Sequence, residues 1–374
     1  MLANAIAGSV WTVFVYSFIV ALPATWLCKK IALKLGIVDN PDGLVKTHKQ
    51  PIAYLGGLGI FAGLAAGIII GILCLKNAEA FHSYLKLLAG IIIGTGIACL
   101  VGVIDDIFDI RPWQKIIGQL SASAVLIYAG VRPEMHYLFS PFGFEVSPSL
   151  EFWLGASISI LFVLGATNSL NLLDGIDGLC AGVTAIVSVG ALGSAILLGH
   201  QTENEVVATV IIICSLCLMG AVCGFLPFNI NPASIFMGDA GSLLLGCVIA
   251  AMFILFTAGG IKWWFISLML FGLPILDTSV AMARRLLNKR PMFVSDRGHI
   301  YDQMIDRGIP LKKTVILSYG ITTLYVIIGL AMCLMRTSYV IATFAIVITI
   351  SAIVMWKKNF FKMKGLRGAI HKEI

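Results

Sequence analysis

Residues 206–225 read VVATVIIICSLCLMGAVCGF and include no charged side chain over twenty positions. A helix that crosses the hydrocarbon core of a bilayer needs about 20 apolar residues, and backbone groups in hydrocarbon must form their hydrogen bonds within the segment. The run therefore predicts a membrane-spanning α-helix. Cys214 and Cys217 form a C-x-x-C within it, and this apolar setting favours two buried small side chains over a redox or metal-binding pair.

Similar apolar runs recur along the whole chain of 374 residues. Hydrophobic residues make up 59% of it and charged residues 12%, whereas a soluble domain is about half apolar and about a quarter charged. This composition excludes a soluble globular protein. We predict an all-α integral membrane protein, a single polytopic domain over residues 1–374. Eleven transmembrane helices are expected near 8–28, 53–75, 85–104, 115–131, 152–168, 179–199, 206–225, 241–258, 262–282, 313–335 and 338–356.

Charge predicts the orientation of these spans, because cytoplasmic loops contain the excess of Lys and Arg. With the N-terminus outside and the C-terminus cytoplasmic, 21 of the 26 basic residues lie on the cytoplasmic side. All twelve Asp residues fall on that side too, while six of the seven Glu residues fall outside. Short carboxylates gathered at one membrane face indicate a built site. We expect a cytoplasmic (inner) membrane protein with active-site loops near 38–54, 105–115, 169–178, 226–240 and 284–312.

The third span ends in two adjacent acids, Asp105 and Asp106, and Asp109 follows closely. Ionised carboxylates at a membrane edge are costly and are usually functional. Three negative charges within five residues repel one another unless a cation or a lysine offsets them. Lys115 follows shortly after, and Mg²⁺ with a phosphate-bearing substrate suits such oxygen ligands. The alternative is an exposed acidic helix end.

Residues 168–178 read NSLNLLDGIDG between two apolar spans. Asn168, Asn171, Asp174 and Asp177 follow one another at intervals of three, which predicts that they share one helix face. A ladder of amides and carboxylates suits a nucleotide or a metal. A capping and turn element is the alternative.

The next cytoplasmic loop contains FMGDAGS at 236–242, in which Asp239 is the only charged residue between Glu205 and Lys262. An isolated Asp before small residues is either an N-cap or a metal ligand beside a helix end that faces phosphate. The residues alone leave both open. In the longest loop, clustered Arg with His299 favours phosphate binding, and ordinary positive-inside charge is the alternative.

The chain resembles the polyprenyl-phosphate N-acetylhexosamine-1-phosphate transferases in three motifs and in their order. These are the Asp pair, the N-x-x-N-x-x-D-G-x-D-G ladder and the G-D-x-G-S run. The resemblance extends from Lys46-x-His48 to His299, nearly the whole chain. It implies eleven spans, a cytoplasmic site, and transfer of a sugar 1-phosphate from a UDP-sugar to undecaprenyl (polyprenyl) phosphate with release of UMP. The implied cofactor is Mg²⁺, with Mn²⁺ as the alternative. Such a reaction begins the membrane stage of cell-envelope glycan synthesis, lipopolysaccharide included.

The resemblance also implies roles for individual residues. The assigned catalytic residues are Asp105, Asp106, Asp174, Asp177 and His299; the substrate-binding residues are His48, Lys115, Asn168 and Arg297; the metal ligands are Asn171 and Asp239. The Asp pair would deprotonate or orient the lipid phosphate, and the metal would bridge the pyrophosphate. A covalent Asp-phosphate route stays open.

This chain departs from the family pattern at two places. Where the family has H-x-H-H, residues 299–302 read His299-Ile300-Tyr301-Asp302, which puts the sugar and pyrophosphate contacts of that loop in question. Residues 51–57 read PIAYLGG and are similar to the P-x-x-R-L-G-G loop of the UDP-GlcNAc branch, with Tyr54 in place of Arg. We therefore expect GlcNAc or a related N-acetylhexosamine as the sugar, and a phospho-MurNAc-pentapeptide translocase is the alternative.

A cation-coupled transporter is the rival from a different class, since transporters also hold acids near broken helices. Transporters usually place coupling sites near the bilayer midplane and often show repeat symmetry. Here the acids lie at one face and no repeat is evident. The expected partners are a UDP-N-acetylhexosamine, a polyprenyl phosphate lipid and the membrane itself. Nucleic acid is not expected, and a homodimer stays open.

Overall fold

The computed structural model describes residues 2–39, 51–139, 146–202, 204–289 and 298–362. Within these ranges the chain is almost entirely helical, as the sequence predicts. The helices are α1 (Leu2–Leu35), α2 (Gly56–Cys74), α3 (Phe81–Phe108), α4 (Pro112–Ala129), α5 (His136–Phe139), α6 (Pro148–Leu173), α7 (Leu179–Gln201), α8 (Glu205–Asn229), α9 (Gly238–Phe256), α10 (Ile261–Leu270), α11 (Gly272–Leu287), α12 (Ile300–Asp306), α13 (Leu311–Cys333) and α14 (Thr337–Lys357). Two short strands, β1 (Val38–Asp39) and β2 (Ile52–Ala53), pair antiparallel.

Helix α9 forms the centre of the bundle. Nearly all of its residues are buried, and α3, α6, α2 and α8 pack around it. Small residues make the close approach possible: Gly102 of α3 lies against the backbone of Asp239 and Ala240, and Gly246 of α9 lies against Thr167 of α6. Helix α9 is thereby packed closely against α3 at its first turn and against α6 further along.

The start of α2 is joined to the segment before α9 by backbone hydrogen bonds. The amide of Gly56 donates to the carbonyl of Phe236 at 3.0 Å, and the amide of Gly57 donates to Met237 at 3.0 Å. The first amides of a helix have no partner within it, so these carbonyls satisfy two of them. The connection brings the 51–57 loop beside the FMGDAGS segment.

Within the described ranges, nine helices are long and apolar enough to cross a membrane, and the bent pair α10–α11 makes a tenth if it counts as one span. Eleven were predicted. The difference is α4, which coincides with the expected span at 115–131. It runs antiparallel to α3, because Gly118 lies against Val101 and Gly90 lies against Ala129. At about 1.5 Å per residue its 18 residues extend about 27 Å.

The span predicted at 262–282 is not one straight helix. Helices α10 and α11 meet at Phe271 with a bend of 77°. Gly272 and Pro274 open α11, and a proline has no amide to continue the hydrogen bonds of a preceding helix. Beyond the bend, α11 buries Arg284 and Arg285 and exposes Leu286 and Leu287.

Candidate active site

Three charged side chains from three helices meet at the first turn of α9. The ammonium of Lys115 lies 2.5 Å from the Asp105 carboxylate and 2.6 Å from the Asp239 carboxylate. Asp105 lies in the last turn of α3, Lys115 in the first turn of α4 and Asp239 in the first turn of α9, so the contacts join positions up to 124 residues apart. Lys115 retains 27% exposure of its side chain, which leaves the cluster accessible. The structure thus brings together three of the residues assigned from the sequence.

Asp106 has a different environment from its neighbour. Its carboxylate accepts the amides of Asp239 at 2.8 Å and Ala240 at 3.1 Å. It therefore caps α9 from another helix, where a negative charge also meets the positive end of the helix dipole. Gly238 has φ of +66°, and a Cβ at that position would collide with the Asp106 carboxylate. Only glycine fits there for both reasons.

The polar ladder divides into two halves. Asn171 donates its amide to Asp239 at 2.7 Å and to Ser242 at 3.1 Å. Asp174 caps the C-terminus of α6; burial first, and then the negative charges of Asp239 and Asp106, raise its pKa well above the ordinary value. These two residues face the cluster at the start of α9.

The other two ladder residues take part in structural contacts. Asn168 donates to Gln119 at 3.1 Å and to the carbonyl of Leu164 at 2.7 Å. Asp177 accepts the Asn231 amide at 2.8 Å and the backbone amide of Ala233 at 3.0 Å. The single shared face expected for all four residues is wrong, because α6 ends at Leu173 and a turn separates Asp177 from it.

His299 pairs with an acid for which the sequence indicated no role. Its Nδ1 lies 2.7 Å from a carboxylate oxygen of Asp277, whose other oxygen accepts the Ile300 amide at 2.6 Å. Both side chains are buried. Arg284 donates to the carbonyl of Gly298 beside them. His48 and Arg297, both assigned to substrate binding, lie outside the described residues.

Several site residues gave little signal in the sequence. Asp277 lies inside a predicted span, 22 residues from its partner, and Gln119 is a polar residue within another predicted span. Tyr54 lies near the acids, in place of the Arg of the family pattern. Burial, with the charges of Asp39 and Asp106, raises the pKa of its phenol above the ordinary value.

The donor set of the cluster suits a hard divalent cation. Asp105 and Asp239 contact the one lysine, and Asp106 and Asp174 lie near Asp239, an excess of negative charge that Mg²⁺ would offset. In the part of the chain that the structure describes, no group of three or more Asp, Glu, His or Cys side chains is arranged to hold a metal ion. Asn171 presents its amide nitrogen to Asp239, so its role as a ligand stays a prediction.

Residues 88–257 match the family described as glycosyl transferase family 4. That range contains every member of the cluster and ends one residue after α9.

Curated relatives match over most of the chain. A probable undecaprenyl-phosphate N-acetylglucosaminyl 1-phosphate transferase of Bacillus subtilis is 30% identical over 311 residues, which cover 82% of this chain and 80% of the relative. A decaprenyl-phosphate N-acetylglucosaminephosphotransferase of Mycolicibacterium smegmatis is 28% identical over 79% and 75% of the two chains. An undecaprenyl-phosphate alpha-N-acetylglucosaminyl 1-phosphate transferase of Yersinia pestis is 28% identical over 85% and 83%.

Proposed function

The chain belongs to glycosyl transferase family 4, and we propose that it transfers N-acetylglucosamine 1-phosphate from UDP-GlcNAc to undecaprenyl phosphate, releasing UMP. The names of its relatives support the sugar and the lipid class. The phospho-MurNAc-pentapeptide translocase is the weaker alternative, since these relatives are N-acetylglucosaminyl transferases. Family membership and the position of the acids at a helix end argue against a cation-coupled transporter.

The observation that carries the proposal is the lysine between two carboxylates at the start of α9. Phosphoryl transfer needs positioned charges around the transferred group and little covalent chemistry from the protein. Lys115 supplies a cation that can meet phosphate oxygens, and Asp105 and Asp239 hold it from two sides. The helix N-terminus at Gly238 adds further positive potential.

In this proposal, Asp105 and Asp106 have different roles. Asp106 uses both oxygens to cap α9 and so fixes Asp239. Asp105 accepts the Ile110 amide at 3.1 Å and keeps its other oxygen at Lys115, where it can orient the lipid phosphate or take its proton. The second pKa of a phosphate monoester is about 6, so orientation contributes more than proton removal near neutral pH.

Asp239 and Asp105 are the residues that would hold Mg²⁺, with Asn171 fixing the Asp239 carboxylate. When bound there, the ion neutralises charge on the pyrophosphate oxygens. Asp174 would face the nucleotide end of the substrate. We include His299, which Asp277 holds, in the same proposed site, because Tyr301 of α12 donates a hydrogen bond to Leu172 at the end of α6.

We further propose eleven crossings with a cytoplasmic active site in the inner membrane. Helix α4 supplies the eleventh crossing, because it runs antiparallel to α3 over most of its own length. This topology keeps the basic excess and all twelve Asp on the cytoplasmic side.

The test uses the purified full-length chain with undecaprenyl phosphate, Mg²⁺ and radiolabelled UDP-GlcNAc. We expect release of UMP and a labelled lipid pyrophosphate, both abolished by EDTA and restored by added Mg²⁺. UDP-MurNAc-pentapeptide and UDP-GalNAc serve as matched donors. Faster turnover of the pentapeptide donor would reverse the choice of sugar, and no labelled lipid from any donor would contradict the proposed reaction.

A further inference from the structure

Tyr301 of α12 contacts the C-terminal end of α6. Its side chain is 6% exposed, and its hydroxyl donates to the carbonyl of Leu172 at 2.9 Å. The last carbonyls of a helix have no partner within it, so the phenol satisfies one of them. The bond therefore ties α12 to the turn that follows α6.

The ring of Tyr301 also fits against Gly175 in the same turn. A Cβ built on Gly175 would collide with the hydroxyl and ring atoms of Tyr301. The aromatic ring and the missing side chain are complementary, so the turn at residues 172–175 is held both by a hydrogen bond and by packing. Asp174 lies between these two points of contact.

On its other side, Tyr301 reaches the buried acid–imidazole pair. The rings of Tyr301 and His299 lie 5.8 Å apart at an interplanar angle of 12°, and Asp277 holds His299 through Nδ1. A continuous set of contacts thus runs from α11 through α12 to the turn that contains Asp174.

We propose that Tyr301 is a positioning residue for the sugar-phosphate transfer, acting through the 172–175 turn to place Asp174 beside Asp239. The inference rests on the proposed function and deepens it, because it assigns a role to the position at which this chain departs from H-x-H-H. A histidine at 301 has no para-hydroxyl and cannot make the same bond to the Leu172 carbonyl. The hydroxyl tether, and not a second imidazole, is then what this site requires.

The chain contains a matched control for this tether. Tyr319 of α13 donates its hydroxyl to the carbonyl of Gly178 at 2.6 Å, and its ring covers Gly182 in the same way. Gly178 is also held by Asn229, which accepts its amide at 3.0 Å. Loss of the Tyr319 hydroxyl therefore removes an equivalent bond without releasing Asp174.

The experiment compares Tyr301→Phe, Tyr301→His and Tyr319→Phe in the purified full-length chain. We expect Tyr301→Phe to lower kcat/KM for UDP-GlcNAc about tenfold, the effect of about one lost hydrogen bond. KM for undecaprenyl phosphate stays within about twofold, because Asp105 and Lys115 are untouched. Tyr301→His shows the same loss, and Tyr319→Phe keeps the wild-type kcat/KM. Equal losses in Tyr301→Phe and Tyr319→Phe, or full activity in Tyr301→His, would overturn the proposal.

Hydrogen exchange of the backbone amides of residues 174–176 gives a readout that is independent of turnover. We expect faster exchange in Tyr301→Phe than in the wild type and in Tyr319→Phe. If the wild-type chain releases no UMP, the proposed function has failed, and the exchange comparison still decides whether Tyr301 holds the turn. Unchanged exchange in Tyr301→Phe would overturn the tether itself.

Discussion

Polar contacts lie near both ends of the central helix α9, but the two sets of contacts differ in charge. At the first turn, Lys115 lies between two carboxylates while a third caps the helix. At the far end, Lys262 of α10 donates to the carbonyl of Cys333 at 2.6 Å and to Gln201 at 3.0 Å. Asn204 donates to the carbonyl of Ala258 at 2.8 Å.

The contacts near the far end join α10 to the ends of α7 and α13 without a cluster of acids. A few neutral oxygens and amides satisfy the polar groups there, which stabilises the fold at small electrostatic cost. The first turn instead gathers like charges, which repel at short range and raise the free energy of the folded chain. Such an arrangement persists where the charges serve chemistry. The comparison therefore predicts effects on activity at one end and on stability at the other.

The largest effect is expected at Asp239, the carboxylate that contacts both Lys115 and Asn171. Asp239→Asn keeps the shape and removes the charge, so we expect UMP release to fall by about 10³-fold. The thermal midpoint should stay near that of the wild type, because one source of repulsion is lost with the ion pair. Radiometric UMP release and differential scanning fluorimetry measure the two quantities.

Lys262→Met is the matched control for Asp239→Asn, because it removes a lysine whose hydrogen bonds lie near the opposite end of α9. A similar loss of turnover in both variants would break the comparison, since a general loosening of α9 would then explain both results.

The next largest effect is expected at Lys115. Lys115→Met leaves Asp105 and Asp239 facing each other without the ammonium, and we expect kcat to fall about 100-fold. Lys115→Arg keeps the charge, but a planar guanidinium replaces a compact ammonium, so it should recover only part of the loss. Turnover of both variants in saturating UDP-GlcNAc provides the measurement, and wild-type kcat in Lys115→Met would remove Lys115 from the site.

The sequence could predict most of the fold because the bilayer sets the length of each apolar run. It could not predict the bend at Phe271, since residues 262–282 are apolar enough to form a straight span. Pro274 lies in the first turn of α11, and the sequence does not show that a new helix begins there. Helix α4 coincides with a predicted span, although its polar residues keep it below the apolarity of the others.

The candidate site could be predicted where chemistry and topology agreed. Asp105, Lys115 and Asp239 were expected at one membrane face, and the structure joins them. The i, i+3 spacing gave a wrong prediction for Asp177, because residues at this spacing share a face only while the helix continues. The partnership of Asp277 with His299 is a contact between distant positions that no local pattern contains.

The third effect concerns stability at the far end of α9. Lys262→Met removes two hydrogen bonds to neutral oxygens, and the side chain is partly exposed, so we expect a loss of about 1 kcal/mol. The thermal midpoint should fall while kcat per folded molecule stays at the wild-type value. Turnover normalised to the folded fraction tests this, and a lowered kcat with an unchanged midpoint would contradict the division between the two ends.

The smallest effect is expected within the ladder, at Asn168. Asn168 and Asn171 are identical residues one helical turn apart, yet Asn168 bonds to Gln119 and Asn171 bonds to Asp239. The hydrogen bonds of Asn168 are therefore neutral, like those near the far end of α9, although Asn168 lies near the charged end. Asn168→Ala should keep UMP release within about threefold of the wild type and lower stability by about 1 kcal/mol.

Asn171→Ala is the matched variant, and we expect it to lower UMP release by about tenfold or more because Asp239 loses the donor that orients it. Steady-state UMP release and thermal midpoints of the two variants separate the roles on one helix face. If Asn168→Ala lost as much turnover as Asn171→Ala, the two ladder residues would act together. The residues of α6 that support catalysis would then extend from Asn171 back to Asn168. In that case, bonding to a neutral amide or to a carboxylate of the site would not predict how much a residue contributes to turnover.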